Sequence, residues 1–207
     1  MIVCFGDSLT VGFQAPTLEN PTGQETPYGQ YLQKWLGPSA KIRVSGVCGE
    51  LTGEMVLRFR RDVLQHQPSH VVLLGGTNDL GWNATPSEIM RNLVTMYELA
   101  QASQVIPIPV AVPSIRVDGT GGGSDAEDWI GQHLSRRAEL NGLIRDYAFS
   151  KGLPWIDLCR ATVESTTGQL AAHYSNDGLH LSTAGYRLLA QLLYDQVFAK
   201  VFPRVQE

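Results

Sequence analysis

Cysteine is scarce: Cys4, Cys48 and Cys159 are odd in number, far apart and without a C-x-x-C pair. This argues against both a disulfide framework and a cysteine-based metal site. Charge is sparse too, at 17% Asp, Glu, Lys and Arg with a net charge of -4 and no Lys/Arg run. A basic face for nucleic acid is therefore missing, and no nucleic-acid partner is expected. No apolar run approaches the roughly 20 residues that span a bilayer. Strand-type sequence begins at Ile2 without the basic region and cleavage site of a secretory leader, so the chain as it stands is expected to be cytoplasmic. A chain trimmed of a leader would read the same way. The first turn, Gly6-Asp7-Ser8-Leu9-Thr10-Val11-Gly12, has neither the G-x-G-x-x-G spacing of a dinucleotide loop nor the Gly-Lys-Ser/Thr ending of a phosphate loop. Neither a cofactor nor a metal is expected, and FMN would meet an unfavourable carboxylate at Asp7.

What remains is an ordinary globular composition, 43% hydrophobic over 207 residues, with no internal repeat and no linker. One domain over residues 1–207 is expected. Five short apolar runs alternate with helical patterns. The strands are expected at Ile2 to Phe5, Lys41 to Ser45, His70 to Leu74, Val105 to Val112 (broken by Pro107 and Pro109), and Leu153 to Asp157. His70 to Leu74 is apolar without alternation, as in a strand covered on both faces. A helix is expected from Tyr28 to Leu36, stopped by Gly37-Pro38. A second follows Thr52 with Met55, Phe59, Val63 and Leu64 inward, and Pro68 forbids its continuation. Thr85-Pro86-Ser87-Glu88 has the form of a capping box, with Ile89, Leu93, Met96 and Ala100 on the inner face of its helix. A further helix is expected to be capped within Ser124 to Glu127 and to stop at Gly152, and a last one to begin near Ser182. Gly12 to Pro27 and Ser114 to Asp128 are expected as irregular loops, the second made flexible by Gly119 and Gly121-Gly122-Gly123. Strand–helix alternation predicts an α/β fold with a five-stranded parallel sheet between helical layers.

In such a sheet ligands bind beyond the carboxyl ends of the strands. Ser8 follows the first strand, Gly49 the second and Asn78 the third, while Asp177 to His180 precedes the final helix. A serine hydroxyl needs a base to take its proton and donors for the oxyanion that forms on the substrate. His180 is the candidate base, and Asp177, three residues earlier, can orient it. Such a pair alone is common by chance. The Gly49 N–H can approach an oxyanion unhindered, yet a glycine also serves a turn needing positive φ. Asn78 can donate through its side chain or hold an Asx-type turn. Asp7 and Asp79 are read as bracing their loops through backbone N–H groups. Arg116 and Trp129 are surface residues by default, with substrate contact as the alternative. Among the other histidines, His66 and His70 are read as solvent-facing.

Gly6-Asp7-Ser8-Leu9, Gly46-x-x-Gly49, Gly76-Thr77-Asn78-Asp79 and Asp177-x-x-His180 together resemble the four sequence blocks of the SGNH hydrolases, the GDSL esterase/lipase family. The resemblance spans nearly the whole chain in order. It implies a flavodoxin-like three-layer α/β/α sandwich and a serine esterase with no cofactor. Ser8 would be the nucleophile, His180 the base and Asp177 its orienter, with the Ser8 N–H, Gly49 N–H and Asn78 side chain as the oxyanion hole. Val44-Ser45 stand where the second block usually carries an asparagine, which puts one supporting hydrogen bond in question. Cys48, beside Gly49, is read as an inert small hydrophobe. The family's substrates are short acyl esters, lysophospholipids, acyl thioesters and acetylated sugars. Neither long loop carries an apolar lid, which favours short acyl groups. Acyl-CoA hydrolysis and acyl transfer would use the same site, and a non-catalytic carbohydrate- or ligand-binding module on the same fold is the remaining alternative. Oligomeric state is not legible.

Overall fold

A computed structural model describes residues 1–117 and 128–202 in full and the backbone of 124–127. Strand β1 (Ile2–Gly6) runs into a one-turn helix, α1 (Ser8–Val11), and then into a ribbon of two short strands, β2 (Phe13–Gln14) and β3 (Gln24–Glu25). Helix α2 (Tyr28–Leu36) leads to β4 (Ile42–Gly46), α3 (Thr52–Asp62) and β5 (His70–Leu74). There follow α4 (Thr77–Gly81), α5 (Pro86–Ala102), β6 (Ile106–Pro109), α6 (Ser124–Ser150), α7 (Leu158–Thr162) and α8 (Thr183–Leu193).

The main sheet is parallel, in the order β4-β1-β5-β6. β1 is central, with Ile2 opposite both Ile42 and His70 and Gly6 opposite Gly46 and Leu74. Alternate residues of β1 and β5 feed two cores. Ile2, Cys4, Val72 and Leu74 pack with Leu32 and Trp35 of α2 and with Tyr186 and Leu189 of α8. Val3, Phe5, Val71 and Leu73 pack with Met55 and Phe59 of α3, Ile89 and Leu93 of α5, and Leu140 and Ile144 of α6. Burying each such side chain is worth about 1.5–3 kcal/mol, which explains why apolar residues stand at every position from Val71 to Leu74. The result is the α/β/α architecture that the strand–helix alternation implies.

The sheet departs from expectation in its strand count. Leu153 to Asp157 contributes one bridge, Ile156 to Val110, in place of a fifth strand. Its bonds are Ile156 N–H to the Pro109 carbonyl (3.0 Å) and Ala111 N–H to the Ile156 carbonyl (2.9 Å). Pro154 on one side and Pro109 and Pro113 on the other have no N–H with which to extend the ladder. The stretch from Gly12 to Pro27 is also more regular than expected, since it contains the β2–β3 ribbon. Gly119 and Gly121 to Gly123 lie outside the described residues, as does any side-chain cap from Ser124 to Glu127. His70 is half-buried, its ring edge-on to Phe198 at 5.5 Å between centroids, so it does not face solvent as expected.

The order β4-β1-β5 puts a topological switch at β1, because the chain leaves β1 to one side and later returns to the other. Ser8, after β1, and Asn78, after β5, therefore meet in the crevice where ligands bind in open α/β sheets.

Candidate active site

Ser8 opens α1 directly after β1. The Asp7 carboxylate caps this turn, Oδ1 accepting the Leu9 N–H at 2.9 Å. Gly6 must be glycine: a Cβ there would collide with the Leu74 carbonyl oxygen and with Thr10 Oγ1. The hydroxyl of Ser8 lies 3.1 Å from His180 Nε2. On the other side of the ring, His180 Nδ1 is 2.7 Å from Asp177 Oδ2. A carboxylate only accepts, so Nδ1 carries the ring proton and Nε2 is free to accept from Ser8.

The turn that brings Asp177 and His180 together is held from within. Asp177 Oδ1 accepts the N–H groups of Leu179 (2.9 Å) and His180 (2.7 Å). Ser175 Oγ donates to the His180 carbonyl at 2.6 Å and accepts the Gly178 N–H at 2.8 Å. Burial pushes the Asp177 carboxyl up, but the hydrogen bonds from the His180 ring and the two amides outweigh it and hold it at about 2. Asp177 is thus ionised whenever His180 is to be oriented.

The β2–β3 ribbon adds a wall that the sequence patterns did not indicate. Phe13 packs edge-on against the His180 ring, centroids 4.6 Å apart, and its carbonyl accepts from the buried Tyr186 hydroxyl at 2.8 Å. Gln14 Nε2 donates to Thr183 Oγ1 at 2.9 Å, and Asn176 Nδ2 donates to Gln14 Oε1 at 3.2 Å, joining the ribbon to the histidine segment.

Gly49 sits at φ +78°, a left-handed conformation that favours glycine, and a Cβ there would meet nothing within 4 Å. Its N–H and that of Ser8 have no acceptor among the described residues. Asn78 Nδ2 donates one hydrogen to the Glu50 carbonyl at 2.9 Å, which fixes the amide beside the Gly49 turn and leaves its second hydrogen available. Asp79 receives the Thr52 N–H at 3.1 and 3.0 Å and the Thr52 hydroxyl at 2.6 Å, pinning the start of α3.

A buried ion pair absent from the sequence reading supports the Gly49 turn. Arg58 Nε donates to the Glu50 carboxylate at 2.6 and 2.9 Å, and its Nη2 reaches the Gly6 carbonyl at 2.9 Å. Its Nη1 donates to Ser45 Oγ at 2.9 Å, so Ser45 is hydrogen-bonded in the block where an asparagine is usual. The guanidinium also stacks over Phe5, 4.1 Å from the ring centroid. Burial alone would lower the Arg58 pKa, yet Glu50 and Asp62 raise it above the ordinary value. Nothing local marks this pair, because Glu50 and Arg58 are eight positions apart and meet only when α3 folds back on β1.

Asp7 Oδ2 is buried without a hydrogen-bond partner. Burial pushes this carboxyl up to about 7, only partly offset by the Leu9 N–H and His180. Cys48, read as an inert small hydrophobe, is exposed; desolvation and the nearby Glu25 and Asp7 raise its thiol pKa above the ordinary value.

Beside Asn78 and Leu179 opens a cavity of about 420 Å³, walled by Trp82, Trp129, His133 and Arg137. Trp129 stacks on His133 with centroids 5.2 Å apart and 20° between planes. Trp129 and Arg116 therefore line this cavity. Among the described residues no group of three or more His, Cys, Asp or Glu is placed to hold a metal ion. No helix among them is long and apolar enough to cross a membrane.

Comparison with known proteins extends this geometry. A lipase/acylhydrolase from Enterococcus faecalis superposes with a TM-score of 0.72 at 27% identity, covering 99% of this chain and 98% of that one. A carbohydrate acetylesterase from Sinorhizobium meliloti superposes with a TM-score of 0.74 at 22% identity, over 96% and 98%. In sequence, the chain is 27% identical over 126 residues to the uncharacterized lipoprotein YqeF of Bacillus subtilis, a match covering 58% of this chain and 51% of that protein. The chain thus matches about half the length of this curated relative. The profile of the GDSL-like lipase/acylhydrolase family matches residues 4–188, so the chain belongs to that family.

Proposed function

We propose that residues 1–207 act as one domain, a serine esterase that cleaves carboxylic esters through an acyl-Ser8 intermediate. The observation that carries this reading is the unbroken chain from Ser8 Oγ to His180 Nε2 (3.1 Å) and from His180 Nδ1 to Asp177 Oδ2 (2.7 Å). His180 takes the Ser8 proton as Oγ attacks the ester carbonyl, and Asp177 stabilises the imidazolium that results. The electron pair of the carbonyl π bond moves to oxygen, and the N–H groups of Ser8 and Gly49 and the Asn78 amide donate hydrogen bonds to the oxyanion that forms. The tetrahedral intermediate collapses, His180 protonates the departing alkoxide, and the acyl group stays on Ser8. Water, deprotonated by the same imidazole, then attacks the acyl-serine; the acyl–Oγ bond breaks, His180 returns the proton to Ser8 Oγ, and the acid is released.

Short acyl groups, acetyl among them, are the substrate class we favour. The ribbon over His180 is two residues deep on each strand and offers no apolar lid. The S. meliloti neighbour is described as a carbohydrate acetylesterase and another neighbour, at 20% identity and a TM-score of 0.70, as an acetyl xylan esterase.

Treatment with a fluorophosphonate, followed by peptide mass mapping, tests the proposal. One phosphonyl adduct on Ser8, with parallel loss of 4-nitrophenyl acetate hydrolysis, is expected. Folded protein that hydrolyses esters while Ser8 stays unlabelled would overturn it.

A further inference from the structure

The cavity beside Asn78 contains a charge that the reaction above does not use. Arg137, on α6, is 2% exposed. Its hydrogen-bond partners among the described residues are all neutral. Nε donates to His133 Nε2 at 3.1 Å, and Nη1 donates to Thr77 Oγ1 at 3.0 Å and to the Pro113 carbonyl at 2.6 Å. Among the described residues no carboxylate touches it. Burial depresses its pKa to about 10, and Cys159 and Asp7 oppose this only from a distance. Charged side chains at this depth are ordinarily paired, because an isolated buried ion loses its hydration with no return.

Two details show which way this charge faces. A guanidinium has five N–H donors, and the three bonds above occupy only Nε and Nη1. Nη2 has no acceptor among the described residues, yet it is not among the sealed, partnerless atoms, which are Asp7 Oδ2, Thr10 Oγ1, Tyr28 Oη and Tyr147 Oη. It therefore opens onto the cavity that Arg137 lines. His133 cannot neutralise the charge. It accepts from Arg137 through Nε2, which fixes its proton on Nδ1, and burial with Arg137 and Arg136 beside it lowers its pKa to about 4, keeping it neutral. The flanking walls at the mouth, Trp82 and Trp129, are apolar and exposed, at 80% and 49%. An indole-walled cavity with an unneutralised guanidinium at depth suits a ligand that is apolar in the middle and anionic at one end.

We infer that this cavity selects esters carrying a carboxylate several bonds from the scissile carbonyl, held by the Nη2 edge of Arg137. The inference rests on the esterase reading of the same site. Cavity position alone leaves the carboxylate on either the acyl or the alcohol part, and the substrates below separate the two.

The test compares anionic esters with their neutral methyl esters. For the acyl side, 4-nitrophenyl hydrogen adipate is set against 4-nitrophenyl methyl adipate. For the alcohol side, 4-acetoxybenzoate is set against methyl 4-acetoxybenzoate. In wild type, kcat/KM for one of the two anionic esters should exceed that of its methyl ester about tenfold or more, and free adipate should compete with the neutral ester. Arg137→Met should bring the ratio to one or below, and Arg137→Lys should retain part of it. Loss of Arg137 also removes the bond to Thr77, next to Asn78, so the ratio rather than the absolute rate is the readout; a purely structural role would depress both esters alike. If Arg137→Met does not fold, the wild-type ratios and adipate competition decide. Hydrolysis of the neutral esters with no anionic preference and no adipate inhibition would overturn this assignment and leave the esterase reading standing. Preference surviving Arg137→Met would also overturn it. Absence of hydrolysis on every ester, with Ser8 unlabelled by fluorophosphonate, would remove both.

Discussion

Arg58 Nη2 lies 2.9 Å from the carbonyl oxygen of Gly6, across the carboxyl end of β1 and two residues before Ser8. The same guanidinium holds Glu50, whose own carbonyl receives the Asn78 amide at 2.9 Å. One buried cation thus joins the serine strand, the glycine turn and the asparagine loop. It links the segments that carry the proposed oxyanion donors.

Removing either end of that ion pair should be costly. Arg58→Met leaves Glu50, 8% exposed, buried without a counter-charge, and a loss of about 3–5 kcal/mol is expected. The double variant Glu50→Gln with Arg58→Met should lose less than Arg58→Met alone. Urea unfolding of wild type and the variants checks this; equal or greater loss in the double variant would show that the charge imbalance is not the cause.

Ser8→Ala and His180→Ala should each lower kcat by something on the order of 10⁴- to 10⁶-fold. The combined variant should be little worse than either, since a base without its nucleophile, and a nucleophile without its base, are equally idle. Steady-state kinetics on 4-nitrophenyl acetate measure both, and multiplicative losses would contradict the pairing seen at 3.1 Å.

For Asn78→Ala the expected change is a fall of roughly 100- to 1000-fold in kcat with a smaller change in KM, because one oxyanion donor acts mainly in the transition state. Gly49→Ala has open space for its methyl group but keeps φ at +78°, which costs about 1 kcal/mol or more in backbone strain. Its urea midpoint should fall. A rise in KM alone for Asn78→Ala would assign the amide to ground-state binding.

The buried Asp7 carboxyl gives stability a pH dependence of known sign. Its pKa rises from 3.8 to about 7 on folding, chiefly through burial. Between those values the folded protein holds a proton that the unfolded chain has released, so stability falls as pH rises through that window. Asp177 acts oppositely: held at about 2, it contributes stability above about pH 4 that is lost as pH falls through 2. Asp7→Asn should flatten the decline between pH 4.5 and 7.5 relative to wild type. Parallel urea midpoints for wild type and variant across that range would refute the shift.

Much of the scaffold was legible locally. Tyr28–Leu36 and His70–Leu74 fall where the residue patterns predict them, and Thr85 and Glu88 form the expected reciprocal cap, at 2.9 Å from the Thr85 N–H to the Glu88 carboxylate. Each of these depends on neighbours within one or two turns. The apolar run from Leu153 to Asp157 reveals hydrophobic burial but not whether the facing chain has N–H groups to pair, and Pro109 and Pro113 have none. In the β2–β3 ribbon, turn-forming residues conceal two residues of pairing on each side.

From residue order alone come the alternation of strands and helices, the turn that ends at Ser8, and the Asp177-to-His180 spacing that lets one side chain cap and orient the other. These follow from short-range sterics and from apolar periodicity, which any stretch of chain expresses without its distant partners. Only the folded molecule puts Phe13 against His180, Arg58 between Gly6 and Glu50, and Arg137 at the side of the cavity with one edge unneutralised. Those relationships join residues from 8 to 167 positions apart. Their energy depends on burial and on the sign of the nearest charge, and both are set when the helices close over the sheet.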